Sequence, residues 1–224
     1  MNKSRPSARG DRTREALLEA AVEVFAREGF HAASTRAIAQ AAGSNQALIG
    51  YHFGGKEGLY LAVFEFIVQQ MTADVLPVVE TMAEELHALE TGTPRARERA
   101  LRLLETAMSI LIKQFALPAS AFWPRLILRE QQDPTAAFDI LYAGLYAPLL
   151  DLLTRLIGVL IDADPAAEAA RARAVMILGQ VIVFPAARTT ALRHMGWKDL
   201  GPEEFELVRE QLIESLRTQF DREV

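Results

Sequence analysis

The sequence predicts an all-α fold in two parts, a three-helix N-terminal head of helix-turn-helix type and a larger C-terminal helical body, about nine helices together. Three observations predict it. Apolar residues recur at helical spacing along the chain, with no alternating β-branched run and no Asn-Gly hairpin signal. Two short capped segments, each closed by glycine, lie side by side between residues 34 and 55. The later apolar stretches are long and are separated by Asp-Pro and Gly-Pro pairs, which open helices and do not pair strands.

The first helix is expected over 11–28. Leu17, Ala21, Val24 and Phe25 form its stripe, and Gly29 ends it. Ser34 caps a short second helix that ends at Gly43. Asn45 caps a third over 46–52, and Gly54-Gly55 breaks the chain. A fourth helix starts near Lys56 and continues past Met71. Thr91-Gly92-Thr93-Pro94 is a turn, after which a fifth helix covers 95–117 until Pro118 stops it. A sixth covers 122–132. Asp133-Pro134 opens a seventh that reaches 162, with a kink expected at Pro148. Asp164-Pro165 opens an eighth that reaches 195, apolar nearly all round from Val175 to Phe184. Gly201-Pro202 opens a ninth over 202–221. The expected division is a disordered basic arm over 1–10, a head over 11–58 and a body over 59–224, with a continuous helix joining head and body.

The net charge of −5 argues at first sight against nucleic acid, but its distribution matters more. Residues 1–60 hold eight basic and six acidic side chains, so the remainder carries −7. Lys3, Arg5, Arg9, Arg12 and Arg14 crowd the first fourteen positions against Asp11 alone. A basic end on an acidic body suits a protein that meets phosphates at one end. The arginines can follow a phosphate backbone, or form an ordinary solvated arm. Cysteine is absent, which removes disulfides and thiolate metal sites and fits a cytoplasmic protein. The first fifteen residues are polar and basic, without the apolar core of a secretory signal. The longest apolar run, 174–187, is expected to be too short to span a bilayer, and no membrane partner is expected.

Residues 34–53 read S-T-R-A-I-A-Q-A-A-G-S-N-Q-A-L-I-G-Y-H-F. Physically these are two short helices joined by a tight glycine turn. Ile38, Ile49 and Phe53 pin the pair onto the first helix, and the small Ala39 lets the two approach closely. Gln46, Ala47, Gly50, Tyr51 and His52 are left facing outward. The amide of Gln46 can pair bidentately with adenine in a major groove, and Ala47 can touch a thymine methyl. Gly50 removes bulk, while Tyr51 and His52 can donate to phosphates or be plain surface residues. Lys56, one of only four lysines, sits at a helix N-terminus where a phosphate is favoured. With Ser34, Thr35 and Arg36 at the start of the second helix and Asn45 at the start of the third, these residues form the expected DNA-binding face.

The string A-A-G-S-N-Q-A-L-I-G-Y-H-F-G-G-K-E-G-L-Y over 41–60 resembles the signature of the TetR family of regulators. The helix A-L-L-E-A-A-V-E-V-F-A-R-E-G-F over 16–30 resembles that family too, so the likeness covers roughly residues 13–64. It implies an all-helical dimer, DNA reading by the third helix and phosphate contacts near Tyr51, His52 and Lys56. Three positions depart from the pattern. Ser44 replaces the turn valine, Gly50 replaces the usual tyrosine, and Ala37 leaves the capping box incomplete. In the second half, L-I-L-R-E-Q-Q-D-P over 126–134 and G-Q-V-I-V-F-P-A-A-R over 179–188 resemble, more loosely, the CecR-like subgroup.

Met71, Phe115, Phe122, Trp123, Phe138, Tyr142 and Tyr146, with Arg125 and Arg129, are candidates to line a pocket for a small aromatic or anionic effector. Each aromatic read alone suits plain core better than a pocket. Glu130 is adjacent to Arg129, points elsewhere, and can pair with another helix or meet a ligand. Val175, Gly179 and Ile182, with Phe205, Val208, Leu212 and Leu216, are expected to pair with a second copy of the chain as a four-helix bundle. No Gly-x-Ser-x-Gly, His-Glu-x-x-His, phosphate loop or Glu-x-x-His pair is present, and His31, His52, His87 and His194 lie far apart. The expectation is therefore no enzyme and no cofactor. It is a ligand-responsive regulator, most simply a repressor on a palindromic operator, with a purely structural helical adaptor as the rival reading.

Overall fold

Residue by residue, why these segments become helices is visible in the computed structural model, which describes residues 8–73, 75–89, 92–116 and 122–221. Every regular element among the described residues is helical: α1 (Ala8–Ala32), α2 (Thr35–Ala41), α3 (Ala47–Phe53), α4 (Lys56–Thr72), α5 (Leu76–His87), α6 (Pro94–Ala116), α7 (Trp123–Gln132), α8 (Ala136–Leu141), α9 (Ala147–Leu160), α10 (Glu168–Ala186), α11 (Arg188–Met195) and α12 (Pro202–Asp221). A π-helical turn, Tyr142–Tyr146, joins α8 to α9.

Several boundaries differ from the expected ones. Positions 8–10, assigned to the basic arm, are helical; the arm up to residue 7 lies outside the described residues. Helix α5, which contains Pro77, was not anticipated. The proline sits in the first turn, where a missing N–H costs nothing. The single helix expected over 134–162 is interrupted by the π turn. Pro148 has no N–H to give the carbonyl of Gly144, and the ladder upstream widens by one residue. The single helix expected up to 195 breaks at Ala187 (φ −114°, ψ 30°), two residues after Pro185. Helical stretches 136–160 and 168–186 are each long and apolar enough to cross a membrane, with mean hydropathies of 1.5 and 1.4. That corrects the expectation drawn from the run 174–187 alone, since the helices extend beyond it.

The chain divides into two compact units, Met1–Gln70 with Ser120–Gly144, and Met71–Ala119 with Leu145–Val224. The first division therefore falls in the last turn of α4, further along than residue 58, and a segment from mid-chain joins the N-terminal helices.

In the first unit, α1 buries Leu17, Leu18, Ala21, Val22, Phe25 and Ala26. Gly29 (φ 80°, ψ 169°) breaks the helix where expected, with one further turn to Ala32. A side chain at Gly29 would be strained by that φ and would run into the guanidinium of Arg129, which crosses the backbone there. Phe25, Phe30 and Phe64 surround the ring of Tyr60, with centroids 4.9–5.0 Å from it. Helix α7 packs on α1 through the neighbourhood of buried Leu126 and Ile127.

Glu130 is 1% exposed, and the expected buried ion pair to another helix is not made among the described residues. Its carboxylate accepts from the Tyr60 hydroxyl (2.7 Å) and from both the N–H (2.9 Å) and hydroxyl (3.0 Å) of Thr135. Of the two roles open to it, a hydrogen-bonded link to another helix is the observed one. Burial, then the bond to Glu130, pushes the Tyr60 phenol well above its ordinary pKa, so it stays a donor.

In the second unit, α6 is the central helix and packs against α9, α10 and α12. Leu104, Met108 and Ile112 of α6 meet a core that includes Leu153, Leu156, Ile177, Val181, Leu216 and Phe220. At its polar margin Arg217 makes a two-pronged bond to Glu105 (2.7 and 3.0 Å), and Arg97 donates to the carbonyl of Phe220 (2.9 Å).

Tyr60→Phe removes one of the donors on the buried Glu130 carboxylate. Urea unfolding should show a loss of about 1–3 kcal/mol, and an unchanged midpoint would show that the bond carries no stability.

Candidate nucleic-acid interface

The helix-turn-helix is built from local capping. Ser34 Oγ accepts from the N–H of Ala37 (3.1 Å), so half of a capping box forms although Ala37 lacks the reciprocal side chain. Helix α2 turns Ile38 and Ala39 inward, both buried. The chain then bends through Gly43 (φ 58°), and the N–H of Ser44 donates to the carbonyl of Ala39 (2.8 Å). Helix α3 starts one residue later than expected, with Gln46 at the N-cap position and no side-chain cap bond of its own, while Asn45 Oδ1 just before it accepts from the N–H of Ala47 at 2.9 Å. Helix α3 buries Ile49, half-buries Leu48, His52 and Phe53, and turns Ala47, Gly50 and Tyr51 outward.

That outward surface contains Gln46, Ala47, Gly50 and Tyr51, all exposed, with Tyr51 at 82%. A Cβ built at Gly50 would meet nothing within 4 Å, so the surface there is bare and open. His52 is half-buried, its ring edge-on to Tyr51 (5.0 Å, 80°). Arg36 is exposed on α2. The side-chain oxygens of Ser34 and Asn45 are occupied as caps, which gives both a structural task within the expected face.

Four further contacts depend on how the helices cross. Gln46 Nε2 donates to Thr35 Oγ1 at 2.8 Å, across the turn. Lys56 Nζ donates to the carbonyl of His31 (3.1 Å) and lies 4.9 Å from the Phe30 ring centroid, tying the end of α1 to the start of α4. The Arg14 guanidinium lies over Phe53 at 5.2 Å, so this arginine packs on the head. Lysine and arginine beside aromatic residues were visible in the sequence, but which ring each one covers depends on how the helices cross.

The residues considered for an effector pocket fall in both units. In the first, Trp123 is buried edge-on to Phe66 (6.5 Å) and Phe122 lies under the Arg27 guanidinium (5.6 Å). Phe138 is beside Tyr142 (6.2 Å), Arg125 and Tyr142 are exposed, and Arg129 crosses Gly29. In the second, Met71 and Tyr146 are buried. The side chain of Phe115 lies outside the described residues. A groove between α5 and α6 is lined by Pro77, Val78, Met82 and Leu103 and holds none of these candidates.

For pairing of two copies, α10 presents Val175 (59% exposed), Met176, Gly179 and Val183 outward, with Ile182 and, on α12, Val208 half-buried. Phe205, Leu212 and Leu216 are a correction. They lie in this chain's own core, where α12 packs on α6, and Leu207 is the large apolar residue α12 exposes. The stripe that looked like an interface is the side of α12 that holds it to its own chain. Among the described residues, no three His, Cys, Asp or Glu side chains are grouped to hold a metal.

Residues 17–63 match the family model described as bacterial regulatory proteins, tetR family. Residues 96–221 match the C-terminal domain of the HTH-type transcriptional dual regulator CecR. The chain is 32% identical over 211 residues to the dual regulator CecR of Shigella flexneri, covering 94% of this chain and 92% of that protein. It is 47% identical over 57 residues to the transcriptional repressor NicS of Pseudomonas putida, 25% of this chain and 27% of that one. Among solved structures, AibR in complex with isovaleryl coenzyme A and operator DNA is similar with a TM-score of 0.61 at 15% identity, over 91% of this chain and 97% of that one. FadR of Bacillus subtilis in complex with stearoyl-CoA has a TM-score of 0.58 at 19% identity, over 90% and 96%. At these identities the structural likeness is one of fold.

Gly58 is also part of the site's geometry. A Cβ there would lie 1.8 Å from the backbone oxygen of Phe53, where α3 ends. Gly58→Ala must therefore push α3 away from α4. A loss of about 1–3 kcal/mol in thermal or urea unfolding is expected, and wild-type stability would show that the junction yields freely.

Proposed function

The chain belongs to the TetR family of transcriptional regulators, and from that premise we propose that it is a repressor that grips a palindromic operator as a dimer and lets go when a small molecule binds. It is a DNA-binding transcription regulator and not an enzyme. The observation that carries the proposal is the exposed surface of α3, Gln46 through Tyr51, held by caps at both helix starts and by Ile49 beneath. In this reading residues 11–58 are the DNA-binding head and residues 59–224 the part that pairs and senses. Gln46 and Ala47 meet base edges, Gly50 lets the helix sit deep, and Arg36, Tyr51, His52 and Lys56 meet phosphates or neighbouring bases. Two heads on a symmetric particle would engage half-sites roughly one turn, about 34–36 Å, apart or somewhat further. Such a protein works in the cytoplasm.

Pairing is supported by the outward row Val175, Met176, Gly179 and Val183 on α10, which is too apolar to be left in water and includes a glycine that lets backbones approach. An effector is supported by the two structural neighbours that hold acyl-CoA molecules. Phe122, Trp123, Phe138 and Tyr142, with Arg125 and Arg129, are the proposed lining within the first unit. Whatever binds acts only through its different affinity for the DNA-competent and DNA-incompetent states.

A gel shift with the DNA upstream of the protein's own gene should give a discrete complex that weakens as salt rises, because released counterions drive phosphate binding. Tyr51→Ala with Lys56→Ala should abolish it while leaving helix content intact. Binding blind to sequence, or none to lose, would instead favour a structural adaptor. For the dimer, Val183→Glu puts a charge in the proposed seam. Sedimentation should then report a monomer with at least about tenfold weaker operator binding, and a persistent dimer would put the seam elsewhere.

A further inference from the structure

Two side chains on either side of the helix-turn-helix corner touch. Gln46, the residue before α3, donates one amide hydrogen from Nε2 to the hydroxyl oxygen of Thr35 in the first turn of α2, at 2.8 Å. We infer that Thr35 is a positioning residue for base readout, holding the Gln46 amide so that this protein selects adenine over guanine at one position of each half-site. The inference rests on the regulator reading above and deepens it.

The chemistry is a matter of counting donors. A glutamine amide has two N–H donors and one oxygen acceptor. With one N–H given to Thr35, a single N–H and the oxygen remain to face outward. That pair matches the major-groove edge of adenine, which offers N7 as acceptor and the N6 amine as donor. Guanine offers two acceptors, N7 and O6. An unrestrained amide can turn both N–H groups toward them, but a held one meets O6 with its own oxygen. The same hydroxyl that accepts from Gln46 keeps its O–H to donate, and a phosphate oxygen suits it, so a backbone contact would lock the base-reading amide in place. Threonine suits the task because branching at Cβ stiffens χ1. The neighbours on α3 compete little: Ala47 and Gly50 bring no polar side chain to the exposed face.

The test starts from selection of bound duplexes out of a randomised double-stranded pool by the full-length wild-type protein. Affinities for the selected duplex, and for versions with each A·T pair changed to G·C in both half-sites, are then measured by fluorescence anisotropy. The wild type, Thr35→Val, Thr35→Ser and Gln46→Ala are compared after helix content and sedimentation are shown to match. The expected result is one adenine position whose preference over guanine vanishes in Gln46→Ala. In Thr35→Val that preference drops about tenfold with preferences elsewhere unchanged, and Thr35→Ser retains most of it. If Thr35→Val weakens every duplex by the same factor and keeps the adenine-to-guanine ratio, Thr35 is a phosphate contact and the inference fails while the regulator reading stands. If Gln46→Ala leaves every base preference intact, the inference fails in the same way. If the pool yields no enriched sequence at all, the regulator reading itself falls and takes the inference with it.

Discussion

A carboxylate that is 1% exposed must find a donor for each oxygen, and Glu130 finds them in Tyr60 and Thr135. The constraint reaches far along the chain. Tyr60 lies on α4 just after the helix-turn-helix, while Glu130 and Thr135 come from the middle of the sequence. One buried group therefore ties α4 to the junction of α7 and α8. Leaving it unsatisfied would cost on the order of the full desolvation penalty of a charged group, so the segments are held as one. The compact unit that contains the head accordingly includes residues 120–144. Around the same tyrosine, Phe25, Phe30 and Phe64 supply the apolar side of the link.

From this anchored α4 the head is assembled by short-range chemistry. Lys56 joins the end of α1 to the start of α4 through the His31 carbonyl and the Phe30 face. Gly58 allows α4 to begin directly against the last carbonyl of α3. Ser34 and Asn45 start the two helices between them. The result is an exposed α3 surface fixed from beneath, because Ile49 is buried and Asn45 holds the N–H of Ala47. The exposed side chains there are few and small apart from Tyr51 and Gln46.

The second unit follows a different logic. Helix α6 is enclosed by α9, α10 and α12, so its stability comes from apolar burial around one central helix. What is left over is the outward row on α10, and the proposed pairing of two copies gives that row a partner. The length and hydropathy of α10 alone would equally suit a bilayer. Its membership in a DNA-binding family makes a protein partner the better account of the same apolar face.

Helical class, the caps at Ser34 and Asn45, the break at Gly29 and the outward set on α3 were all determined by the sequence itself, because each depends on residues within a few positions of one another. The kink expected at Pro148 became a π-helical turn just upstream, because the proline has no N–H for the carbonyl of Gly144, whereas Pro77 falls in the first turn of α5, where a missing N–H does no harm. Only the tertiary structure decided that Glu130 meets Tyr60, that Thr35 holds Gln46, that Lys56 caps α1, and that Phe205, Leu212 and Leu216 serve their own chain. Each of those pairings joins residues on different helices, and for α12 either a second copy or its own α6 would satisfy the same amphipathic pattern. Periodicity states that a face must be covered; the packing of the whole chain determines what covers it.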